Sequence, residues 1–158
     1  MVDVFLALGS NLGDRARNLK AAIAGLSGII DVTRISPIYE TKPKYVEDQP
    51  QFLNMAVAGE TDLAASDLLA SIKTLECSLG RTPSERFGPR IIDLDIIFYG
   101  EEQIDLRDLT IPHPGLAERA FVLRPLADIA PTKPHPASGK SVKTMLDELP
   151  EDDGIKRV

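Results

Sequence analysis

Residues Ile91–Tyr99 read IIDLDIIFY and carry the strongest β-strand pattern in the chain. Successive side chains of a strand point to opposite faces, so Asp93 and Asp95 are expected to share one face. The core is expected to receive the alternate side chains, which are Leu94, Ile96 and Phe98. The stretch therefore predicts a buried strand that presents two neighbouring carboxylates on one side.

Shorter apolar runs on both sides of this strand complete an α+β pattern. Further strands are expected at Val2–Leu8, Ile30–Tyr39 (interrupted by Pro37), Phe52–Thr61 and Phe121–Leu126. Helices are expected up to about Leu26, over Leu63–Leu79 with Gly80 as its cap, and over Val142–Leu149. Smaller elements are a hairpin partner of the long strand at Gln103–Leu106 and a helical turn around Leu116–Arg119. The order predicts a ferredoxin-like α+β fold, an antiparallel sheet with both main helices on one face and the other face free for a site.

Composition narrows the classes of protein that the chain can represent. Its 158 residues favour one domain, 1–158, in which residues 131–158 are expected to form a C-terminal extension packed on the rest. A net charge of −6 argues against general nucleic-acid binding, and no apolar run approaches the length of a membrane span. Cys77 is the single cysteine, so no internal disulfide is possible and a cytoplasmic location is expected.

The two aspartates are candidate metal ligands. Carboxylates this close together in an apolar strand repel each other and are costly to desolvate, and a divalent cation removes that cost. Oxygen ligands suit Mg²⁺, which bridges to substrate phosphates. An edge strand whose aspartates face water explains the tripeptide Asp93-Leu94-Asp95 about equally well.

Three arginines precede the aspartates: Arg81, Arg86 and Arg90. Guanidinium groups match phosphate oxygens, and a loop containing Gly88 and Pro89 could close over a polyphosphate. A solvated loop is the simpler interpretation of the arginines alone. Their position directly before the aspartates favours a metal–nucleotide site.

Two other groups of residues suit a phosphate and a flat ring. His113 stands between two prolines and could hydrogen-bond a phosphate, although a structural turn is equally common. Phe52 and Phe121 could sandwich a flat ring, and Asn54 could read the ring edge, although either Phe alone is more often core. The turn Gly9–Gly13 lacks the Walker A pattern and is interpreted as a strand-to-helix turn, with Asn11 or Asp14 capping the helix.

These motifs occur in one order: Gly9-Ser10-Asn11, Phe52-Leu53-Asn54, Glu76 with Gly80-Arg81, Arg86–Arg90, Asp93-Leu94-Asp95, Pro112-His113 and Arg119-Ala120-Phe121. Over nearly the whole chain this order resembles the 6-hydroxymethyl-7,8-dihydropterin pyrophosphokinases. The resemblance implies a Mg²⁺-dependent enzyme that moves diphosphate from ATP to the pterin hydroxymethyl group in folate biosynthesis and releases AMP.

The resemblance also implies roles for individual residues. Asp93 and Asp95 would hold two Mg²⁺ ions with ATP, and Arg81 and Arg90 would act with them in catalysis. Nucleotide contacts would come from Glu76, Arg81, Arg86, Arg90, His113 and Arg119. The pterin would be bound by Thr41, Phe52, Asn54 and Phe121, with Phe87 as a lid. The partners would be ATP and a pterin, with neither nucleic acid nor membrane, and the protein would act as a monomer.

The chain departs from the family pattern at three positions. Phe87 stands where Trp is frequent, Phe52 where Tyr is frequent, and Pro83 where a further Arg is frequent. Ring stacking survives these changes, but one phosphate contact and two polar groups are lost. The loops over residues 81–90 and 40–51 are expected to order when both substrates bind.

Two other functions compete with this interpretation. An RNA-recognition-type module would need exposed aromatics on the sheet and a basic surface. A different Mg–nucleotide transferase on the same fold would share the phosphate site and differ in its acceptor.

Overall fold

The computed structural model describes residues 1–43, 48–81, 89–150 and 154–158. The strands are β1 (Val2–Ser10), β2 (Asp31–Ile35), β3 (Tyr39–Thr41), β4 (Phe52–Thr61), β5 (Asp93–Tyr99), β6 (Ile104–Leu106), β7 (Leu109–Ile111) and β8 (Ile155–Arg157). The helices are α1 (Arg15–Leu26), α2 (Ala65–Ser78), α3 (Ala120–Ile129) and α4 (Val142–Asp147), with a 3₁₀ turn at Leu116–Glu118.

Antiparallel pairing joins the main strands in the order β5-β1-β4-β3-β8, and β2 pairs with the far end of β4. The expected strand Ile30–Tyr39 is therefore two strands, because Pro37 between them has no N–H to donate to a ladder. The expected pairing of Gln103–Leu106 with the long strand is wrong. That segment, β6, pairs with β7 instead, and the two form a separate ribbon.

The sheet separates two apolar cores. Helices α1 and α2 cover one face through Leu19, Leu26, Leu68 and Ile72, all fully buried. This arrangement confirms the predicted α+β fold with both main helices on one face. Part of the opposite face is covered by α3 and α4, which bury Phe5 and Phe98. Because these two rings lie beneath helices, they offer no platform for stacking RNA bases, which disfavours the RNA-recognition alternative.

Helix α3 replaces the strand that was expected at Phe121–Leu126, so that prediction is wrong. The buried side chains Val122, Leu123, Leu126 and Ile129 recur at helical spacing. A short apolar run does not distinguish strand from helix, and the period becomes clear only when Ile129 is included. The helix retains Pro125 in its interior.

A β-bulge in β5 corrects the expected orientation of Phe98. Phe98 lies opposite Phe5, whereas Ile96 lies opposite Leu6, so Ile97 is an extra residue in the strand. The extra residue turns Phe98 to the same face as the aspartates, away from the core that holds Ile96.

The end of the chain joins the sheet through β8, a strand that was not predicted. Ile155 lies opposite Thr41, and the Val158 N–H donates to the Ile38 carbonyl at 2.8 Å. Within the described ranges, no helix combines the length and the apolar character that crossing a membrane requires.

Candidate active site

A cleft of about 770 Å³, partly open to solvent, lies beside α3 where β1 ends and where β4 and β5 begin. It lies on the sheet face opposite α1 and α2, where the site was expected. The cleft brings together many of the predicted site residues, which are Thr41, Phe52, Asn54, Arg90, Asp93, Asp95, His113, Arg119 and Phe121.

The side of the cleft that contains the Phe52 and Phe121 rings also carries a polar group held in place. Asn54 Nδ2 donates to Thr41 Oγ1 at 2.6 Å, and both side chains are buried. Gly9 lies opposite Asn54 in the sheet, and a Cβ at residue 9 would lie only 2.8 Å from Asn54 Oδ1. The absence of a side chain at Gly9 thus allows the Asn54 amide to reach the cleft, beside the half-buried rings of Phe52 and Phe121.

The charged side of the cleft is organised around Asp93. Its Oδ1 accepts a hydrogen bond from Arg81 Nη1 at 2.9 Å, and its Oδ2 lies 3.4 Å from Arg90 Nη1. Burial would lower the pKa of Arg81, but the carboxylates of Asp93 and Glu76 outweigh it and raise that pKa. Both oxygens of Asp93 are therefore balanced by guanidinium groups.

Glu76 lies behind the cleft, with only 3% of its side chain exposed. Its Oε2 accepts hydrogen bonds from the Leu94 backbone N–H at 2.7 Å and from Arg81 Nη1 at 2.6 Å. Its Oε1 accepts from Lys73 Nζ at 3.1 Å. Glu76 thus holds the backbone between the two aspartates, and its expected contact with a nucleotide stays a prediction.

A Schellman motif at the end of α2 places Arg81. The Arg81 N–H donates to the Glu76 carbonyl and the Gly80 N–H to the Cys77 carbonyl, both at 3.1 Å. Gly80 has a φ of +99°, a conformation that favours glycine. The predicted helix cap therefore also directs a candidate catalytic side chain toward Asp93.

Asp95 is a cleft carboxyl group with a raised pKa. Burial, with added repulsion from Asp93 and Glu76, raises its pKa to about 7. The opposing attraction of Lys73 and Arg119 does not offset these effects. A carboxylate in this environment is stabilised by an added positive charge, as expected for a cation ligand.

His113 is held as a neutral ring. Burial and the Arg119 charge lower its pKa to about 4, against a weaker opposing effect of Asp93. Its Nδ1 accepts a hydrogen bond from the Gly115 N–H at 3.2 Å, which assigns the proton of the neutral ring to Nε2. The ring can therefore donate one hydrogen bond to an anion. Arg119 Nη1 lies 3.5 Å from this Nε2, and its guanidinium carbon lies 6.0 Å from the centre of the Phe121 ring.

A second cleft, of about 730 Å³ including the open solvent at its mouth, adjoins the first and shares Asp95 and His113 with it. It also exposes Lys73, Arg107 and Thr110, none of which was predicted as a site residue. Lys73 could have been noticed in the sequence because it precedes Glu76 by one helical turn. The other two lie around the β6–β7 ribbon, whose pairing was predicted wrongly.

Of the two residues expected to cap α1, Asn11 or Asp14, the structure has Asp14. Asp14 alone caps α1, by accepting from the Arg17 N–H at 3.2 Å, and Asn11 bonds to other segments. Two further predictions, Arg86 as a phosphate contact and Phe87 as a lid, lie outside the described residues.

The chain is similar to known proteins over most of its length. The sequence model of the 7,8-dihydro-6-hydroxymethylpterin-pyrophosphokinase family matches residues 5–131. The chain is 49% identical over 127 residues to the 2-amino-4-hydroxy-6-hydroxymethyldihydropteridine pyrophosphokinase of Bacillus subtilis, which covers 79% of this chain and 76% of that protein. It is 49% identical over 132 residues to the mitochondrial folate synthesis bifunctional protein of Pisum sativum, covering 82% of this chain. This chain spans 25% of the pea protein's length.

Solved structures show the same fold. A triple mutant of Plasmodium falciparum HPPK-DHPS superimposes with a TM-score of 0.79 at 16% identity, covering 99% of this chain and 46% of that chain. The wild-type protein with pteroate gives a TM-score of 0.78 at 15% identity, covering 99% and 47%. From the sequence match and the identity to the Bacillus protein, the chain belongs to the 7,8-dihydro-6-hydroxymethylpterin-pyrophosphokinase family.

Proposed function

We propose that the chain transfers diphosphate from ATP to the hydroxymethyl group of 6-hydroxymethyl-7,8-dihydropterin and releases AMP, as a step of folate biosynthesis. The observation that carries the proposal is the composition of the first cleft. One end offers two aromatic rings and the Asn54 amide, and the other offers Arg90, Asp93 and Asp95. A flat polar ring and a polyphosphate would therefore meet within one cleft.

The ring end suits a pterin. Phe52 and Phe121 supply two apolar faces, and Asn54 can present Oδ1 to the ring edge because its Nδ2 is bonded to Thr41. A pteridine edge carries both donors and acceptors, so a fixed amide discriminates between this ring and an isostere lacking them.

In the reaction, the hydroxymethyl oxygen forms a bond to the β-phosphorus of ATP. The bond from that phosphorus to the oxygen bridging the α- and β-phosphates breaks, AMP takes the bridging oxygen, and the hydroxyl proton leaves to solvent. Such a transfer depends on alignment and on neutralised charge. Arg81, Arg90 and Arg119 supply positive charge, and neutral His113 donates from Nε2 to a phosphate oxygen.

The residues fit Mg²⁺ as the metal, and we propose two ions bound with ATP by Asp93 and Asp95. Among the described residues, no group of three or more His, Cys, Asp or Glu side chains is placed to hold an ion. Two carboxylates completed by phosphates and water are a common way for proteins to bind Mg²⁺. Bound there, the ions supply counter-charge for the phosphate oxygens.

Substrate binding then exchanges the partners of Asp93. Both its oxygens face guanidinium groups, those of Arg81 and Arg90. A cation at Asp93 would release both guanidinium groups toward phosphate oxygens. The charges of Arg81 and Arg90 would thus balance the Asp93 carboxylate before the substrate binds and the phosphates afterwards. Arg86 would add a further phosphate contact, and Phe87 would close over the ring.

The second cleft is proposed to hold the nucleoside part of ATP. It continues from Asp95 and His113, where the phosphates would lie, and is walled partly by Leu69, Leu94 and Ile96. Apolar walls with a few polar groups are typical of a nucleoside site.

The experiment that tests the proposal is detection of AMP. We expect AMP only when ATP, Mg²⁺ and 6-hydroxymethyl-7,8-dihydropterin are all present. Omission of the pterin or the metal serves as the control. AMP formed equally with an unrelated alcohol would favour the alternative, a transferase with another acceptor.

We further propose that the protein acts as a monomer in the cytoplasm. The single thiol of Cys77 fits a reducing compartment. Sedimentation at concentrations used for the assay tests the monomer, and a larger active species would contradict it.

A further inference from the structure

Asn11, at the turn after β1, is bonded to two separate segments of the chain. Its Nδ2 donates to Gln49 Oε1 at 2.9 Å and to the Pro50 carbonyl at 3.0 Å. Its Oδ1 accepts from the Arg90 backbone N–H at 2.9 Å, and its own N–H donates to the Arg90 carbonyl at 3.1 Å. With 1% of its surface exposed, the residue joins these segments inside the protein.

The orientation of the Asn11 amide is fixed by its backbone partners. A backbone N–H can only donate and a carbonyl can only accept, so Oδ1 must face Arg90 and Nδ2 must face Pro50. An aspartate could accept from Arg90 but could not donate to Pro50. Asn is thus the residue of this size whose side chain can accept from Arg90 and donate to Pro50 at the same time.

The two segments lead into opposite halves of the cleft. Gln49 lines the cleft, and the chain continues from Pro50 to Phe52, the proposed ring contact. Arg90 also lines the cleft and lies against Asp93 in the charged half. The two segments are therefore joined through the buried residue Asn11.

We infer that Asn11 is a positioning residue that couples the two half-sites, so that a polyphosphate held near Arg90 strengthens binding of the ring near Phe52. This inference rests on the proposed function. Coupling is reciprocal, so the ring must strengthen polyphosphate binding by the same factor. The Gly9-Ser10-Asn11 turn thereby acts in ligand binding without contacting either ligand.

Arg15 provides a matched control in the same part of the molecule. Its Nη1 donates to the Gln51 carbonyl at 3.0 Å and lies 2.7 Å from Glu40 Oε2. These contacts hold only the ring-side segment. Arg15→Ala should therefore weaken ring binding equally with and without the nucleotide, which leaves the coupling factor unchanged.

The test measures affinity for the pterin with and without a non-hydrolysable ATP analogue and Mg²⁺, by calorimetry, in wild type, Asn11→Asp, Asn11→Ala and Arg15→Ala. Typical coupling factors between sites are about 5- to 150-fold. We expect both Asn11 variants to lose most of the factor. Asn11→Asp should keep its affinity for the analogue alone within about threefold, because it still accepts from Arg90.

Amide hydrogen exchange in the free protein separates failure of the inference from failure of the proposed function. Asn11→Ala should speed exchange in residues 48–51 and at residue 90 together, and Arg15→Ala only in residues 48–51. Protein that binds neither probe would contradict the proposed function while this readout still tests the linkage. Any of three results would overturn the inference. The first is wild-type coupling retained in Asn11→Ala, and the second is independent binding of the two ligands in wild type. The third is hydrogen exchange that changes in only one of the two segments of Asn11→Ala. If Asn11→Ala does not fold, Asn11→Asp and Gln49→Ala, which each remove part of the linkage on the Gln49 side, decide by the coupling factor alone, and wild-type coupling retained in both would overturn the inference.

Discussion

Glu76 accepts a hydrogen bond from the backbone N–H of Leu94, at 2.7 Å, and so holds the one residue that separates the two aspartates of the site. A helix residue thereby fixes the backbone of a strand at the point where the candidate metal ligands project. The orientation of the ligands depends on a carboxylate that lies outside both clefts.

Replacing Glu76 by Ala should lower the free energy of unfolding by about 2–4 kcal/mol, because it leaves a buried N–H and the Arg81 guanidinium without this acceptor. Urea denaturation measures the change. Lys73→Ala is the control, since it breaks only a half-exposed pair of the same carboxylate and should cost less than about 1 kcal/mol. Equal stability of Glu76→Ala and wild type would contradict the bracing role.

Asp95→Asn should stabilise the ligand-free protein at high pH. The folded pKa of about 7 lies above the unfolded value of 3.8, so the folded state binds the extra proton between these values and loses stability as pH rises through them. Solvent in the partly open cleft screens these charges, so the effect is smaller than the pKa difference alone would give. The gain in the free energy of unfolding at about pH 8 should be about 1–2 kcal/mol, or about 3–6 °C in Tm.

Calorimetry at about pH 8 and about pH 4 measures this difference, and the gain should nearly vanish at the lower pH. The same variant should lose turnover by several orders of magnitude, because a metal ligand is removed. Near-normal Mg²⁺-dependent activity would show that Asp95 is not a ligand.

Phe121→Ala should weaken pterin binding by about 1–3 kcal/mol, the range measured for stacking of bases on aromatic side chains. Binding of the ATP analogue should change far less, because Phe121 is proposed to contact the ring alone. Calorimetric titration with each ligand separately makes the comparison. Equal losses for both ligands would indicate that Phe121 only fills the protein core.

Gly9→Ala should weaken pterin binding without touching the charged half of the cleft. The added Cβ would lie 2.8 Å from Asn54 Oδ1, so the amide must turn away from Thr41 and from the ring edge. We expect a loss of about 1–3 kcal/mol in pterin affinity, the cost of leaving a polar group unpaired. Gly28→Ala, where a Cβ would meet only ordinary contact at 3.5 Å, is the control. Unchanged pterin affinity in Gly9→Ala would show that Asn54 does not read the ring.

The sequence predicted the long elements well, because each has a clear period over many residues. Phe52–Thr61 and the helix ending near Leu26 are examples. It failed at short runs, where four apolar residues of α3 fit strand and helix alike. It also failed at β5, because a bulge changes the alternation and no residue in IIDLDIIFY marks the extra position.

The location of residues in the cleft was predictable where they belong to a distinctive motif, as Asp93 and Asp95 do. The linking role of Asn11 was not, because its partners lie 38 and 79 residues away. Hydrogen bonds over such separations leave no local pattern. A polar residue in a turn therefore suggests a cap first, as it did here.

The bulge at Ile97 gives the two ends of β5 independent registers. Asp93 and Asp95 follow the pairing with Gly9 and Ala7, whereas Phe98 and Tyr99 follow Phe5 and Val4 one step out of phase. Deleting Ile97 would restore a regular ladder in which every other residue of the strand keeps its partner and its face. The loss would be the buried Ile97 side chain itself, which lines the first cleft. In a redesign of this strand, the register of the acidic end and the register of the aromatic end can therefore be set separately, on either side of Ile97.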